Sequence, residues 1–125
     1  MKSQIKALNV LVIDDDPVFR MLIAKAAKAA KVSVTVAGSL EEVNPLTVPR
    51  IYDVVVIDYY LDDIQLNLKG ADIADVLAGT PVLLTSVSEH AVEDGGPWPE
   101  SVRKFVAKKQ GAASILKQAA ELVGK

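Results

Sequence analysis

The chain has 125 residues, half of them apolar, no cysteine and a formal net charge of -2. This is material for one domain with one core, expected over 1–125 with the core at about 8–124. The near-balanced charge argues against nucleic acid as a partner, and the absence of cysteine excludes disulfides, thiolate metal sites and a cysteine nucleophile.

Apolar runs of a few residues are far too short for a membrane span. The start, Met1-Lys-Ser-Gln-Ile-Lys-Ala7, lacks the apolar core of a signal peptide, so a cytoplasmic protein is expected. The first predicted strand is Val10 to Ile13, ending in Asp14-Asp15-Asp16-Pro17. Asp16 followed by Pro17 predicts a helix start, an acceptor at the cap and proline at the first helical position. The helix that follows lays Phe19, Leu22, Ile23, Ala26, Ala27 and Ala30 on one stripe.

Val32 to Val36 alternates apolar and polar, which predicts an edge strand covered on one face. Ser39-Leu-Glu-Glu42 matches a capping box and predicts a helix start, with Pro45 and Pro49 keeping that helix short or irregular. Val54 to Ile57 is apolar on both faces and ends in Asp58, the pattern of a central parallel strand. A long loop follows, closed by Gly70. Ala71 to Ala78 predicts a brief helix with Ile73, Val76 and Leu77 inward, and Gly79-Thr-Pro81 turns into a strand, Val82 to Leu84, ending in Thr85-Ser86. Gly95-Gly-Pro-Trp-Pro99 cannot be helix interior, so a fourth helix is shortened to about 88–93 or irregular. Val102 to Ala107 is the last strand, ending in Lys108-Lys109. Ala112 to Val123 is a closing helix that buries Ile115, Leu116, Ala119, Leu122 and Val123, with Gly124 at its cap.

Five strands alternating with helices predict an α/β fold, a three-layer sandwich around an open parallel sheet with right-handed crossovers. With Val32 to Val36 at an edge, the flavodoxin-like order 2-1-3-4-5 fits, and ligands then bind beyond the carboxyl ends of the strands. That order gathers Asp14, Asp15, Asp58, Ser86 and Lys108. Carboxylates so close repel one another unless a cation holds them, and an all-oxygen set favours Mg²⁺. Acids, metal, lysine and hydroxyl are the parts of a phosphoryl-transfer site, in which Asp58 could act as the nucleophile and form an acyl phosphate.

Four stretches together resemble the receiver domain of the bacterial two-component response regulators over essentially the whole chain: Val12-Ile-Asp-Asp-Asp-Pro-Val-Phe-Arg20, Tyr52-Asp-Val-Val-Val-Ile-Asp58, Thr80-Pro-Val-Leu-Leu-Thr-Ser86 and Phe105-Val-Ala-Lys108. The resemblance implies that Asp58 accepts a phosphoryl group from a histidine kinase or phosphotransfer protein. It implies Asp15 as a direct Mg²⁺ ligand, Asp14 through water and the backbone carbonyl of Tyr60 as a third protein ligand. Ser86 and Lys108 would each meet a phosphoryl oxygen, and Phe105 would be the switch aromatic that turns inward when Ser86 is drawn to the phosphoryl group, a population shift between two packings. Such a protein is a signalling switch with a downstream protein target, not an enzyme beyond its own phosphotransfer and autodephosphorylation.

The chain departs from the family in several places. Gly70 comes four residues later than the usual glycine, Asp62 and Asp63 add charge to the loop, and Lys109 replaces the family's proline. Thr85 could take the role of Ser86 under a one-residue shift, since only one of the two can face the site. His90 is expected to face solvent, Trp98 to pack locally, and Tyr59 and Tyr60 to pack the loop. The closing helix and initial Met favour a complete, stand-alone receiver whose output is protein contact, onward transfer or a phosphoryl sink. Two other functions compete: a receiver-like interaction module independent of phosphorylation, and a haloacid-dehalogenase-type phosphatase with Asp14 as nucleophile and Asp16 as acid.

Overall fold

Strand β3(Val54–Asp58) is the middle of the sheet, and all five of its residues are buried. The computed structural model describes residues 8–44, 46–59, 77, 79–87 and 100–123. Around β3 stand β1(Asn9–Ile13), β2(Ser33–Ala37), β4(Val82–Ser86) and β5(Val102–Ala107), every neighbouring pair parallel, in the order β2-β1-β3-β4-β5. This is the flavodoxin-like order. The β-branched, apolar run of β3 is stable here because helices and turns cover both faces of the sheet.

Period-two alternation divides the core between those faces. On one, Val10, Val12, Val54, Val56, Leu83 and Val106 pack against Phe19, Ile23 and Ala27 of α1(Pro17–Ala30) and Ile115, Leu116 and Ala119 of α3(Ala112–Val123). On the other, Leu11, Ile13, Val55, Ile57, Val82 and Leu84 pack with Val48, Tyr59 and Leu77. Tyr59, expected against the loop, is thus a core residue. Strand β2 is an edge, with burial confined to its end at Ala37.

Helix α1 starts as its sequence requires. Asp16 is extended at the cap, its carboxylate accepts from Val18 N at 2.9 Å, and Pro17 takes the first helical position. The buried stripe is narrower than the apolar stripe: Leu22 is 47% exposed and Ala30 is also exposed. The reason is geometric. Only the 19–23–27 row meets the sheet, and residues flanking it by 100° a step reach past its edge.

The segment after β2 corrects the capping-box expectation. Leu40–Glu42 forms a single 3-10 turn, and the Glu42 carboxylate accepts from Gly38 N at 3.0 Å instead of from Ser39 N. A separate four-residue helix, α2(Val48–Ile51), follows with Pro49 in its first turn. The missing N–H of Pro49 would have no intrahelical partner there in any case, so the proline is tolerated at the start of this short helix. Gly79, at φ 103°, makes the turn into β4 in a backbone region that favours glycine.

The expected loop through Gly70, with Asp62 and Asp63, the helix of residues 71–78 except Leu77, the shortened fourth helix, His90, Trp98 and Gly124 lie outside the described residues. No helix among the described residues is long and apolar enough to cross a membrane.

Candidate functional site

The carboxyl ends of β1, β3 and β5 present Asp14, Asp58 and Lys108, and the turn after Asp14 adds Asp15. One oxygen from each of Asp14, Asp15 and Asp58 falls within 4.8 Å of the others. The strand register explains the convergence. Val12 stands beside Val56 and Ile57 beside Leu84 in parallel pairs, so neighbouring strands end level and their terminal side chains meet.

Lys108 Nζ lies 2.7 Å from Asp14 Oδ2 and donates to Asp58 Oδ2 at 3.0 Å. The Asp14 contact is ionic without hydrogen-bond alignment, which leaves the buried Oδ2 with no hydrogen-bond partner. The other oxygen, Oδ1, accepts from Asp16 N at 2.9 Å. Arg20 Nη1 donates to the Asp14 carbonyl at 2.7 Å, and Asp14 N donates to the Ala37 carbonyl at 3.0 Å, so the backbone of Asp14 is held from both sides.

Burial pushes the Asp14 carboxyl above its ordinary range, against the opposing pull of Lys108 and the Asp16 N–H. Burial also works to lower the Lys108 ammonium, but Asp14 and Asp58 outweigh it and hold the group above its ordinary value. Both directions describe one fact: negative charge is concentrated in a dry place, and the Lys108 ammonium answers it at Asp14 and Asp58.

The donor set fits a hard divalent cation. It is all carboxylate oxygen, and one of its buried oxygens, Asp14 Oδ2, has no hydrogen-bond donor. Asp16 is not part of the set, since its side chain caps α1. The Tyr60 carbonyl lies outside the described residues.

Ser86 is buried at the end of β4 and stands beside Ala107, while Leu84 stands beside Phe105. Alternation therefore puts Ser86 and Phe105 on one face of the sheet. Thr85 points to the other face with Asp58, its partner in register, and its buried hydroxyl has no hydrogen-bond partner. Two residues of the first motif have contacts that sequence reading did not assign. Arg20 holds the Asp14 carbonyl, and the Phe19 ring lies under the Lys108 ammonium, 4.5 Å from its centroid. Their place in Val12–Arg20 was the only signal available.

No family model and no curated protein matches the sequence. Solved structures do. The chain is similar to the chemotaxis response regulator CheY4 of Vibrio cholerae, with a TM-score of 0.68 at 15% identity, over 94% of this chain and 99% of that one. It is similar to the signal receiver domain of the response regulator NarL from Mycobacterium tuberculosis, with a TM-score of 0.70 at 23% identity, over 95% and 98% of the two chains. A response regulator of Burkholderia pseudomallei, solved with a phosphorylated aspartic acid, a calcium ion and citrate, gives 0.63 at 23% identity, over 92% of this chain and 70% of that one. The chain has the receiver-domain fold.

Proposed function

We propose that the protein is a phosphorylatable receiver, with Asp58 the phosphoryl acceptor. One observation carries the reading. A lysine bridges two of three clustered carboxylates at the open end of a parallel sheet, and the middle strand of that sheet ends in Asp58.

The chemistry is nucleophilic displacement. An Asp58 carboxylate oxygen forms a bond to phosphorus as the bond from phosphorus to the donor breaks, and the donor leaves with that electron pair. The product is an acyl phosphate. Asp14, Asp15 and Asp58 would hold Mg²⁺, which supplies charge neutralisation at the transferring oxygens. Lys108 supplies a fixed positive charge for a phosphoryl oxygen. Ser86, the last residue of β4 and one position past Thr85, would supply a hydroxyl donor from the open end of the strand rather than from the face that Thr85 shares with Asp58. In this reading Phe105, on the Ser86 face, responds to that contact and changes the surface of β5. The Burkholderia neighbour, with its phosphorylated aspartic acid and calcium ion, supports a metal-assisted acyl phosphate in this fold.

A histidine kinase or phosphotransfer protein would be the donor and a downstream protein the target. Exposed Val18, Met21 and Leu22 share one face of α1 just past the acid turn, and that apolar patch supports protein docking beside the site. The protein would work in the cytoplasm as a switch and not as an enzyme acting on other substrates.

The test is intact mass after incubation with acetyl phosphate, with and without Mg²⁺, for the natural protein and Asp58→Ala. One added phosphoryl group, dependent on Mg²⁺ and absent from the variant, is the expected result. No gain in folded, Mg²⁺-binding protein would turn the reading to a phosphorylation-independent interaction module.

A further inference from the structure

We infer that Phe19 is a positioning residue for Lys108, its ring face holding the ammonium in place as the charge on Asp58 changes. The inference rests on the acceptor reading of the site. The Lys108 ammonium lies 4.5 Å from the Phe19 ring centroid. That is inside the roughly 6 Å range over which a ring quadrupole attracts a cation. Phe19 is 6% exposed and the Lys108 side chain 9%, so water does little to weaken the contact.

The two partners differ in freedom. Phe19 stands in the first turn of α1, packed in the core face with Val10, Val12 and Val56, behind a cap at Asp16 and beside Arg20, which is tied to the Asp14 carbonyl. Lys108 begins a 3-10 turn at the end of β5 and reaches the site on a flexible four-carbon stem. An ammonium is a point charge without the rigid fork of a guanidinium, so its position is set by the walls around it. Among the described residues, two of those walls are carboxylates and another is the ring.

The ring matters most during reaction. When an Asp58 oxygen bonds to phosphorus, the donor leaves with the electron pair of its broken bond, the carboxylate becomes a neutral mixed anhydride, and the negative charge beside Lys108 is now that of the phosphoryl oxygens that arrived with the group. Lys108 must then move its ionic contact from Asp58 to the phosphoryl group. The ring quadrupole does not change in that step. The attraction of Phe19 for Lys108 is therefore the same before and after Asp58 is phosphorylated, and it acts by keeping the ammonium placed where the phosphoryl oxygens arrive, so that no reorganisation is needed at the moment of reaction. An aliphatic side chain would fill the same core volume and lack the negative face.

The experiment varies the ring's electrons at nearly constant shape. In the full chain, Phe19 is replaced by 4-fluoro-, 3,5-difluoro- and 3,4,5-trifluorophenylalanine, and by Phe19→Leu and Phe19→Trp. Two quantities are read: the Mg²⁺-dependent rate of phosphorylation by acetyl phosphate, and, without donor or metal, the upfield ring-current displacement of the Lys108 ε-methylene protons by NMR. We expect the rate to fall stepwise with fluorination, by about two- to thirtyfold at trifluorophenylalanine and Phe19→Leu, with Phe19→Trp retaining it and thermal midpoints of the fluorinated series unchanged. The proton displacement should be present in the natural protein and lost in Phe19→Leu. A flat rate across the fluorinated series overturns the inference, as does a Lys108 displacement indifferent to Phe19→Leu. If the natural protein never takes up the phosphoryl group, the acceptor reading fails and the rate effect falls with it, whereas the NMR arm still decides the Phe19–Lys108 contact.

Discussion

Lys108 Nζ and Asp58 Oδ2 stand 3.0 Å apart although fifty positions separate them in the chain. The same ammonium is 2.7 Å from Asp14 Oδ2, so one positive charge serves two carboxylates that the sheet forces together. Desolvated charges of this kind are costly to orphan.

Lys108→Met keeps the stem and removes the charge. Without divalent ions it should lower stability by up to about 3–5 kcal/mol, because a buried carboxylate loses its counter-ion. Urea unfolding with and without Mg²⁺ checks this, and added Mg²⁺ should restore part of the loss. The rate of phosphorylation by acetyl phosphate should fall on the order of a hundredfold, the scale for removing one preorganised partner of a developing anion. A variant as stable and as fast as the natural protein would remove Lys108 from the site.

Asp14 sets a pH dependence. Burial raises its carboxyl above the ordinary 3.8, so the folded protein keeps that proton to higher pH than the unfolded chain does. Its contribution to stability is therefore fully present below about 3.8 and is lost as pH rises through the folded value. Above that point the charged group is a net cost, so Asp14→Asn should raise the urea midpoint at neutral pH in metal-free buffer. The gain should shrink toward acid pH, where the natural carboxyl is also neutral. A less stable Asn variant at neutral pH would mean that Lys108 outweighs burial.

Asp16 is predicted to be structural. Its carboxylate caps α1 through Val18 N, so Asp16→Ala should cost about 0.5–2 kcal/mol of stability. Calorimetric Mg²⁺ affinity should stay close to that of the natural protein, while Asp15→Ala should weaken it strongly. A large loss of Mg²⁺ binding in Asp16→Ala would place that residue among the ligands and revive the haloacid-dehalogenase-type reading.

Ile57 precedes Asp58 and is fully buried at the centre of the sheet. Ile57→Ala should cost about 2–5 kcal/mol in chemical denaturation, the range for deleting a buried aliphatic side chain that its neighbours cannot replace. A cost below about 1 kcal/mol would show that the site end of β3 relaxes around the cavity.

Much of this was legible in the residues. A continuous apolar run, Val54 to Ile57, marked the central strand because only a strand covered on both faces tolerates it. Alternation in Val32 to Val36 marked the edge for the opposite reason. Asp16-Pro17 announced the start of α1 through local hydrogen bonding alone, which needs no tertiary information. Where a local motif had alternatives the reading slipped, as at Glu42, whose flexible side chain found the Gly38 N–H one position before the expected donor.

By itself, the sequence determined the strands, the caps and which acids end which strands, because these follow from periodicity and from hydrogen bonds spanning a few residues. Tertiary structure alone decided which of those ends meet. The level register of β1, β3 and β4 set Asp14 beside Asp58, and the docking of α1 on that face slid the Phe19 ring under Lys108. Leu22 shows the same limit from the other side: it belongs to the apolar stripe yet stays 47% exposed. A repeat in the chain specifies the face on which a side chain lies, whereas its neighbour across that face depends on strand order and helix placement, which only the whole packed core determines.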